Sequence, residues 1–291
     1  MQTFQSISMS HALSFLAKRS QEAASLAKTA MTKEVMLTPK PGLVDQNNNG
    51  SHKDMNLQTF FTSIEAIEPY LKRFIEAGIS HPNTPKECFK ELRNIGIECE
   101  KSMFEATKGV NTHKGMIFSL AVILGSFGQV LKTQKLITPR LLHNQIKTLC
   151  SDLMYQDFAK IAKNPSAGER FYKLYGNGGI RQEAQNGYPT LFSISLPIFH
   201  NHLKFGEDIA LQMSLLALMQ NLQDSTLWAR GAEDGLNYVQ NYAKSFNGNP
   251  HDISRFLKKM DEDLIIRHLS PGGSADLLAM TYLIHGLIAN S

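Results

Sequence analysis

Apolar residues recur at helical spacing along almost the whole chain, as in Leu13, Leu16, Ala17, Ala24, Ala27 and Met31, while the β-branched alternation of a half-buried strand is scarce. The pattern predicts an all-α fold. Candidate helices cover residues 11–37, 57–77, 86–106, 114–131, 139–154, 189–204, 207–222, 234–245, 252–267 and 274–289. No self-similarity of solenoid length recurs, and no long Pro-, Gly- or Ser-rich linker divides the sequence, so residues 1–291 are expected to form one globular multi-helix domain. With 42% hydrophobic and 19% charged residues in 291, the chain has ample apolar material for a core and no need of staples.

Thirty Lys and Arg against 26 Asp and Glu leave a formal charge of +4, without a run of like charges, so neither a nucleic-acid partner nor an anionic membrane is expected. Cys88, Cys99 and Cys150 form no C-x-x-C and fit a reducing cytoplasm. Residues 1–20 lack the basic-then-apolar order of an export signal. The most apolar stretch, residues 115–131, is interrupted by Ser119, Gly125, Ser126, Gly128 and Gln129 and reads as a buried core helix rather than a membrane span.

Polar residues concentrate in five helix-flanking segments, 38–56, 108–114, 176–189, 224–234 and 270–276, which combine Gly and Pro with opposite charges and His. Such a distribution suggests a site assembled from loops at one end of a helical scaffold. In the first, Pro39-Lys40-Pro41-Gly42-Leu43-Val44-Asp45 combines two prolines with a turn glycine, and either presents Lys40 and Asp45 rigidly or merely terminates a helix. His52-Lys53-Asp54 sets imidazole, ammonium and carboxylate side by side; Asp54 could take a proton, hold a cation, or cap the helix near Leu57.

Gly109-Val110-Asn111-Thr112-His113-Lys114-Gly115 opens the apolar helix, with Asn111 or Thr112 as its expected N-cap, and outlines an anion site; His113 alone also fits a structural hydrogen-bonding role. Ser270-Pro271-Gly272-Gly273-Ser274-Ala275-Asp276 repeats the logic, with Ser274 as expected cap. Asp276 would repel phosphate there unless a cation such as Mg²⁺ joined them. Arg181 with Glu183, and Asp224 with Arg230, each offer a guanidinium for phosphate and a carboxylate for metal or proton, or simply a surface or structural ion pair. The chain contains no G-x-x-x-x-G-K-[ST], G-x-G-x-x-G after a strand, H-E-x-x-H or G-x-S-x-G, and Asp252 of the His251-Asp252 pair reads as a helix cap.

Taken in order, Thr38-Pro39-Lys40-Pro41-Gly42-Leu43-Val44-Asp45, Gly50-Ser51-His52-Lys53-Asp54-Met55, Val110-Asn111-Thr112-His113-Lys114-Gly115 and Ser270-Pro271-Gly272-Gly273-Ser274-Ala275-Asp276-Leu277-Leu278 resemble the triphosphoribosyl-dephospho-CoA synthase family. That family makes the prosthetic-group precursor of citrate lyase or malonate decarboxylase. The chain departs from the pattern at Gln182, where the family usually has Gly, at Ser225 and Thr226 in place of Thr-Asn, and at Ala229 and Ala232 in place of His and Gly.

The resemblance implies transfer of the 5-triphosphoribosyl group of ATP to the 2′-hydroxyl of 3′-dephospho-CoA with release of adenine. Its expected ligands are ATP, 3′-dephospho-CoA and Mg²⁺, and the acyl-carrier-protein prosthetic-group machinery would take the product. On this reading Lys40, Lys53, Asn111, Lys114, Arg181, Arg230, Ser270, Gly272, Gly273 and Ser274 bind substrate. Glu183, Asp224 and Asp276 ligate the metal; Asp54 is the base, with either His52 orienting it or His113 assisting the leaving group. Two rival readings are a metal-dependent nucleotide or ADP-ribosyl hydrolase and a non-catalytic helical nucleotide-binding protein.

Overall fold

The computed structural model describes residues 2–134, 136–159 and 167–290, and among them every regular element is helical. In chain order these are α1 (Gln2–Met36), α2 (Leu57–Ser80), α3 (Pro85–Ala106), α4 (Lys114–Thr133), α5 (Pro139–Leu149), α6 (Leu153–Phe158), α7 (Ala167–Tyr175), α8 (Ile180–Gln185), α9 (Leu196–His202), α10 (Glu207–Asn221), α11 (Ser225–Lys244), α12 (Ile253–Ile266) and α13 (Gly272–Ala289). The all-α expectation holds.

Helix α4 is the axis of the N-terminal half, with every residue from Leu120 to Leu131 buried. It crosses α2 at backbone distance: a Cβ on Gly128 would lie 2.2 Å from the Ile75 carbonyl oxygen, so only glycine lets the two helices meet there. By length and composition α4 is the one described helix able to cross a membrane, but its apolar window is 83% buried inside the bundle, as a core helix requires. Helices α10 and α13 are likewise buried on most faces and carry the core into the C-terminal half.

Local chemistry sets several boundaries differently from the sequence pattern. Asn56, not Asp54, caps α2, in a reciprocal box with Thr59. His113 occupies the N-cap position of α4 without a side-chain cap bond, while Asn111 accepts the Lys114 N–H from outside the helix. Helix α13 starts at Gly272, so Ser274 lies within its first turn, and Asp252 makes no cap bond to α12. The predicted helix over 189–204 does begin at Pro189, but it runs through a π-turn, Leu191–Ser195, because Pro197 has no N–H to give; the Leu196 N–H reaches back to Leu191. Asp224 caps α11 and starts it at Ser225, well before the expected position 234. Helix α11 then kinks at Ala232, whose φ of +50° and ψ of −152° are outside helical space.

Candidate functional site

The loop after α1 is folded around two carboxylates. Asp45 accepts the backbone N–H groups of Lys40 (3.0 Å), Asn47 (2.7 Å) and Asn48 (3.1 Å). From α12, Asp261 accepts the Gly42 N–H and the Asn48 side-chain amide, both at 2.9 Å; burial raises its pKa. This loop turns Lys40 inward. Its Nζ is buried and lies 2.5 Å from Glu34 Oε1 of α1, equally buried, so Lys40 is an internal cation rather than an open phosphate ligand.

Further along, His52 Nε2 is 2.8 Å from Ser270 Oγ, and Arg230 Nη2 of α11 donates to His52 Nδ1 at 3.1 Å. Arg230 Nη1 also donates to the carbonyls of Ser51 and His268, which fastens loop 38–56 to α11 and to the turn before α13. With Nδ1 accepting from Arg230, the His52 proton sits on Nε2. Burial and then the Arg230 charge lower its pKa to about 4, outweighing the opposing effect of Asp54. Asp54 Oδ1 lies 3.8 Å from His52 Nδ1, too far for a hydrogen bond, so His52 is oriented by Arg230 and Ser270 and does not orient Asp54. Asp54 and Lys53 are exposed.

The turn before α11 and the start of α13 share one anion. Asp224, buried, accepts the N–H groups of Thr226 and Leu227 and the Thr226 hydroxyl through Oδ1, and the N–H (2.9 Å) and hydroxyl (3.2 Å) of Ser274 through Oδ2. The Gly273 N–H donates to Thr226 Oγ1 at 2.9 Å. Of the N–H nest expected there for phosphate, the Gly273 and Ser274 N–H groups are therefore already engaged, by Thr226 and Asp224. Asp224 itself is saturated by donors instead of open to a metal.

Asp276, one turn into α13, is different. Among the described residues it has no hydrogen-bond or ion-pair partner, and its Oδ2 lies so close to Gly115 of α4 that a Cβ there would be 2.4 Å away. Burial, then Glu34 and Asp224, push its pKa well above the usual carboxylate range. His113, immediately before α4, is fully buried, whereas Asp276 is only half-buried; burial and the Lys40 charge lower the His113 pKa to about 3, so it is a neutral imidazole.

Gly115 also lines a cleft of about 400 Å³ between α3, α4, α6, α8 and the start of α11. Phe89, Leu92, Ile97, Phe118 and Ile180 supply apolar walls, and Asn111, Lys114 and Arg181 stand at the same cleft. Lys114 pairs with Glu100, while Arg181 Nε is 2.7 Å from Asp157 Oδ2, whose other oxygen takes Arg93. Glu183 points elsewhere: it accepts the Thr190 hydroxyl at 2.7 Å and the Thr190 N–H, and burial raises its pKa.

The structure thus joins loop 38–56 to Arg230 and Ser270, links Asp224 to Ser274, and sets Asp276 behind the cleft that holds Asn111, Lys114 and Arg181. It does not bring Glu183 to Asp224 and Asp276. Among the described residues no group of three or more His, Cys, Asp or Glu side chains is arranged to hold a metal ion. Asp276 still fits a divalent cation that arrives on a polyphosphate, because Mg²⁺ commonly takes one or two carboxylates and fills its remaining positions with phosphate oxygens and water. Sequence reading missed Glu34, Ser63, Asp157 and Asp261. Each lies within a helix, where a single polar residue carries no signal until its partner is seen.

The CitG family model, described as ATP:dephospho-CoA triphosphoribosyl transferase, matches residues 20–291. The 2-(5″-triphosphoribosyl)-3′-dephosphocoenzyme-A synthase of Pectobacterium atrosepticum is 44% identical over 259 residues, covering 88% of this chain and 86% of that protein. A probable synthase of the same name from Vibrio cholerae is 45% identical over 272 residues, 90% of this chain and 87% of its own, and one from Photobacterium profundum is 41% identical over 263 residues, 88% and 84%. No solved structure gives a significant match.

Proposed function

Because the chain belongs to the ATP:dephospho-CoA triphosphoribosyl transferase family, we propose that it transfers the 5-triphosphoribosyl group of ATP to the 2′-hydroxyl of 3′-dephospho-CoA, giving 2′-(5″-triphosphoribosyl)-3′-dephospho-CoA and adenine. The observation that carries this reading is a family match over residues 20–291, which takes in all five polar loop segments. In the reaction the ribosyl C1′–N9 bond breaks and a bond from C1′ to the acceptor oxygen forms. The hydroxyl loses a proton and adenine departs with one. Charge builds on the ribose ring as in glycoside cleavage, so the triphosphate must be held still while C1′ changes partners.

Lys114 and Arg181, with Arg93 beside them, form the cationic edge that holds phosphate oxygens, and the apolar walls of Phe89, Ile97 and Phe118 suit a base. Asp276 is the carboxylate that would help hold Mg²⁺ arriving with the triphosphate, and such an ion would supply positive charge against the phosphates. Asp54, exposed beside Arg230, accepts the hydroxyl proton, and neutral His113 supplies a hydrogen bond toward the nucleotide. Lys40, Asp224, Gly273 and Ser274 act through the loop architecture that their hydrogen bonds build.

Residues 1–291 work as one domain on this reading, supported by a core that runs from Ala23 to Leu287. The protein acts in the cytoplasm, and its product feeds the machinery that loads an acyl carrier protein. Incubation with Mg²⁺, ATP and dephospho-CoA tests the proposal: adenine should appear in step with acceptor consumption. Acceptor-independent release of ribose triphosphate or nucleoside would instead mark a hydrolase.

A further inference from the structure

We propose that Ser63 is a positioning residue that fixes His113 as a neutral imidazole donating from Nε2 to an acceptor atom of the bound nucleotide. The proposal rests on the reading that this end of the bundle takes ATP. Ser63 is on α2, fully buried, and its Oγ lies 2.6 Å from His113 Nδ1. Thr112 Oγ1 donates to the same Ser63 Oγ at 2.7 Å.

A hydroxyl has one hydrogen. Since Thr112 gives its own to Ser63, the Ser63 hydrogen has His113 Nδ1 as its acceptor. Were Nδ1 protonated instead, Ser63 Oγ would accept two bonds and leave its hydrogen buried without an acceptor, an arrangement that buried polar groups avoid. The relay Thr112 to Ser63 to His113 therefore places the imidazole proton on Nε2.

That Nε2 is buried and has no partner. The ring cannot easily swing to find one, because Phe60 packs edge-on against it at 5.0 Å and 87°. Its neighbours favour an electron-rich visitor: Lys40 is close enough to disfavour a charged imidazole, and the N-terminus of α4 follows directly. A fixed N–H with no internal acceptor suits a lone pair brought by the ligand, from a phosphate oxygen or a purine nitrogen. Being neutral, His113 polarises through a hydrogen bond and does not give up a proton, as neutral histidine donors do in other enzymes.

The test is long-range ¹H–¹⁵N NMR of histidine-labelled full-length protein. Wild type should show His113 as the Nε2–H tautomer, and adding ATP with Mg²⁺ should shift that N–H. Inorganic triphosphate with Mg²⁺ should reproduce the shift if the acceptor is a phosphate oxygen and should leave it unchanged if it is a purine nitrogen. Ser63→Ala should populate the Nδ1–H form and lower kcat roughly tenfold, about the worth of one orienting hydrogen bond, with the KM for dephospho-CoA within about twofold. An Nδ1–H tautomer in wild type, no response to ATP, or unchanged tautomer and kcat in Ser63→Ala would each overturn the proposal. If Ser63→Ala does not fold, the wild-type spectrum still decides. An Nε2–H tautomer in a protein that never releases adenine would sink the transferase reading and leave the tautomer assignment standing.

Discussion

The carboxylate of Asp224 accepts both the backbone N–H and the hydroxyl of Ser274, fifty residues further along the chain, while its other oxygen caps α11. Two helix N-termini, each carrying partial positive charge, thus converge on one buried anion. This junction ties the turn before α11 to the start of α13, which carries Asp276.

Asp224→Ala should therefore act first on stability. Loss of an N-cap costs about 1–2 kcal/mol, and the orphaned Ser274 N–H adds to it, so a fall of roughly 2–4 kcal/mol is expected in urea unfolding. Asp224→Asn keeps one acceptor and should fall between. A change below about 0.5 kcal/mol, the scale of an ordinary surface substitution, would show that the junction does not support the fold.

Lys40 carries a second such prediction. Lys40→Met leaves Glu34 buried without its cation, and breaking a buried pair from one side costs about 3–5 kcal/mol. The double substitution Glu34→Gln with Lys40→Met should recover much of that loss. Equal destabilisation in the single and double variants, read by denaturant midpoint, would contradict an internal pairing.

Much of the architecture was legible from spacing alone, since α2, α3, α4, α10 and α12 show an apolar face or a continuous apolar run that only burial explains. What spacing hides is pairing. Lys40 looks like a phosphate ligand until Glu34 on the preceding helix is seen beneath it, and the glycines before Ser274 look like an anion nest until Asp224 is found filling it. Short helices such as α7 and α8 escaped because nine and six residues hold too few apolar positions to establish a period. Gly179 and Gly187 also flank α8 with positive φ.

Ala232 holds a backbone conformation that side chains disfavour, with φ of +50° and ψ of −152° in the middle of α11. Strain of this kind costs about 1–3 kcal/mol, partly offset in glycine by about 0.5–1 kcal/mol of extra unfolded-state entropy. Ala232→Gly should stabilise the protein by on the order of 1 kcal/mol, raising the urea midpoint at unchanged slope. A lowered midpoint would place the kink elsewhere.

His52 gives stability a pH dependence with a definite sign. Its pKa falls from 6.5 to about 4 on folding, through burial and then Arg230, so between those values the unfolded chain binds more protons. The contribution is fully present above pH 6.5 and is lost as pH falls toward about 4. Urea unfolding across this window should show wild type losing on the order of 2 kcal/mol more than His52→Gln. Parallel curves for the two proteins would refute the assignment.

The most direct test of the central claim uses ATP labelled with ¹³C in its ribose, together with Mg²⁺ and dephospho-CoA, and reads the isolated product by NMR. The account predicts that the labelled anomeric carbon couples through oxygen to C2′ of the acceptor ribose, with one adenine released per linkage formed. Labelled ribose triphosphate bearing a free anomeric hydroxyl, with the acceptor untouched, would contradict it.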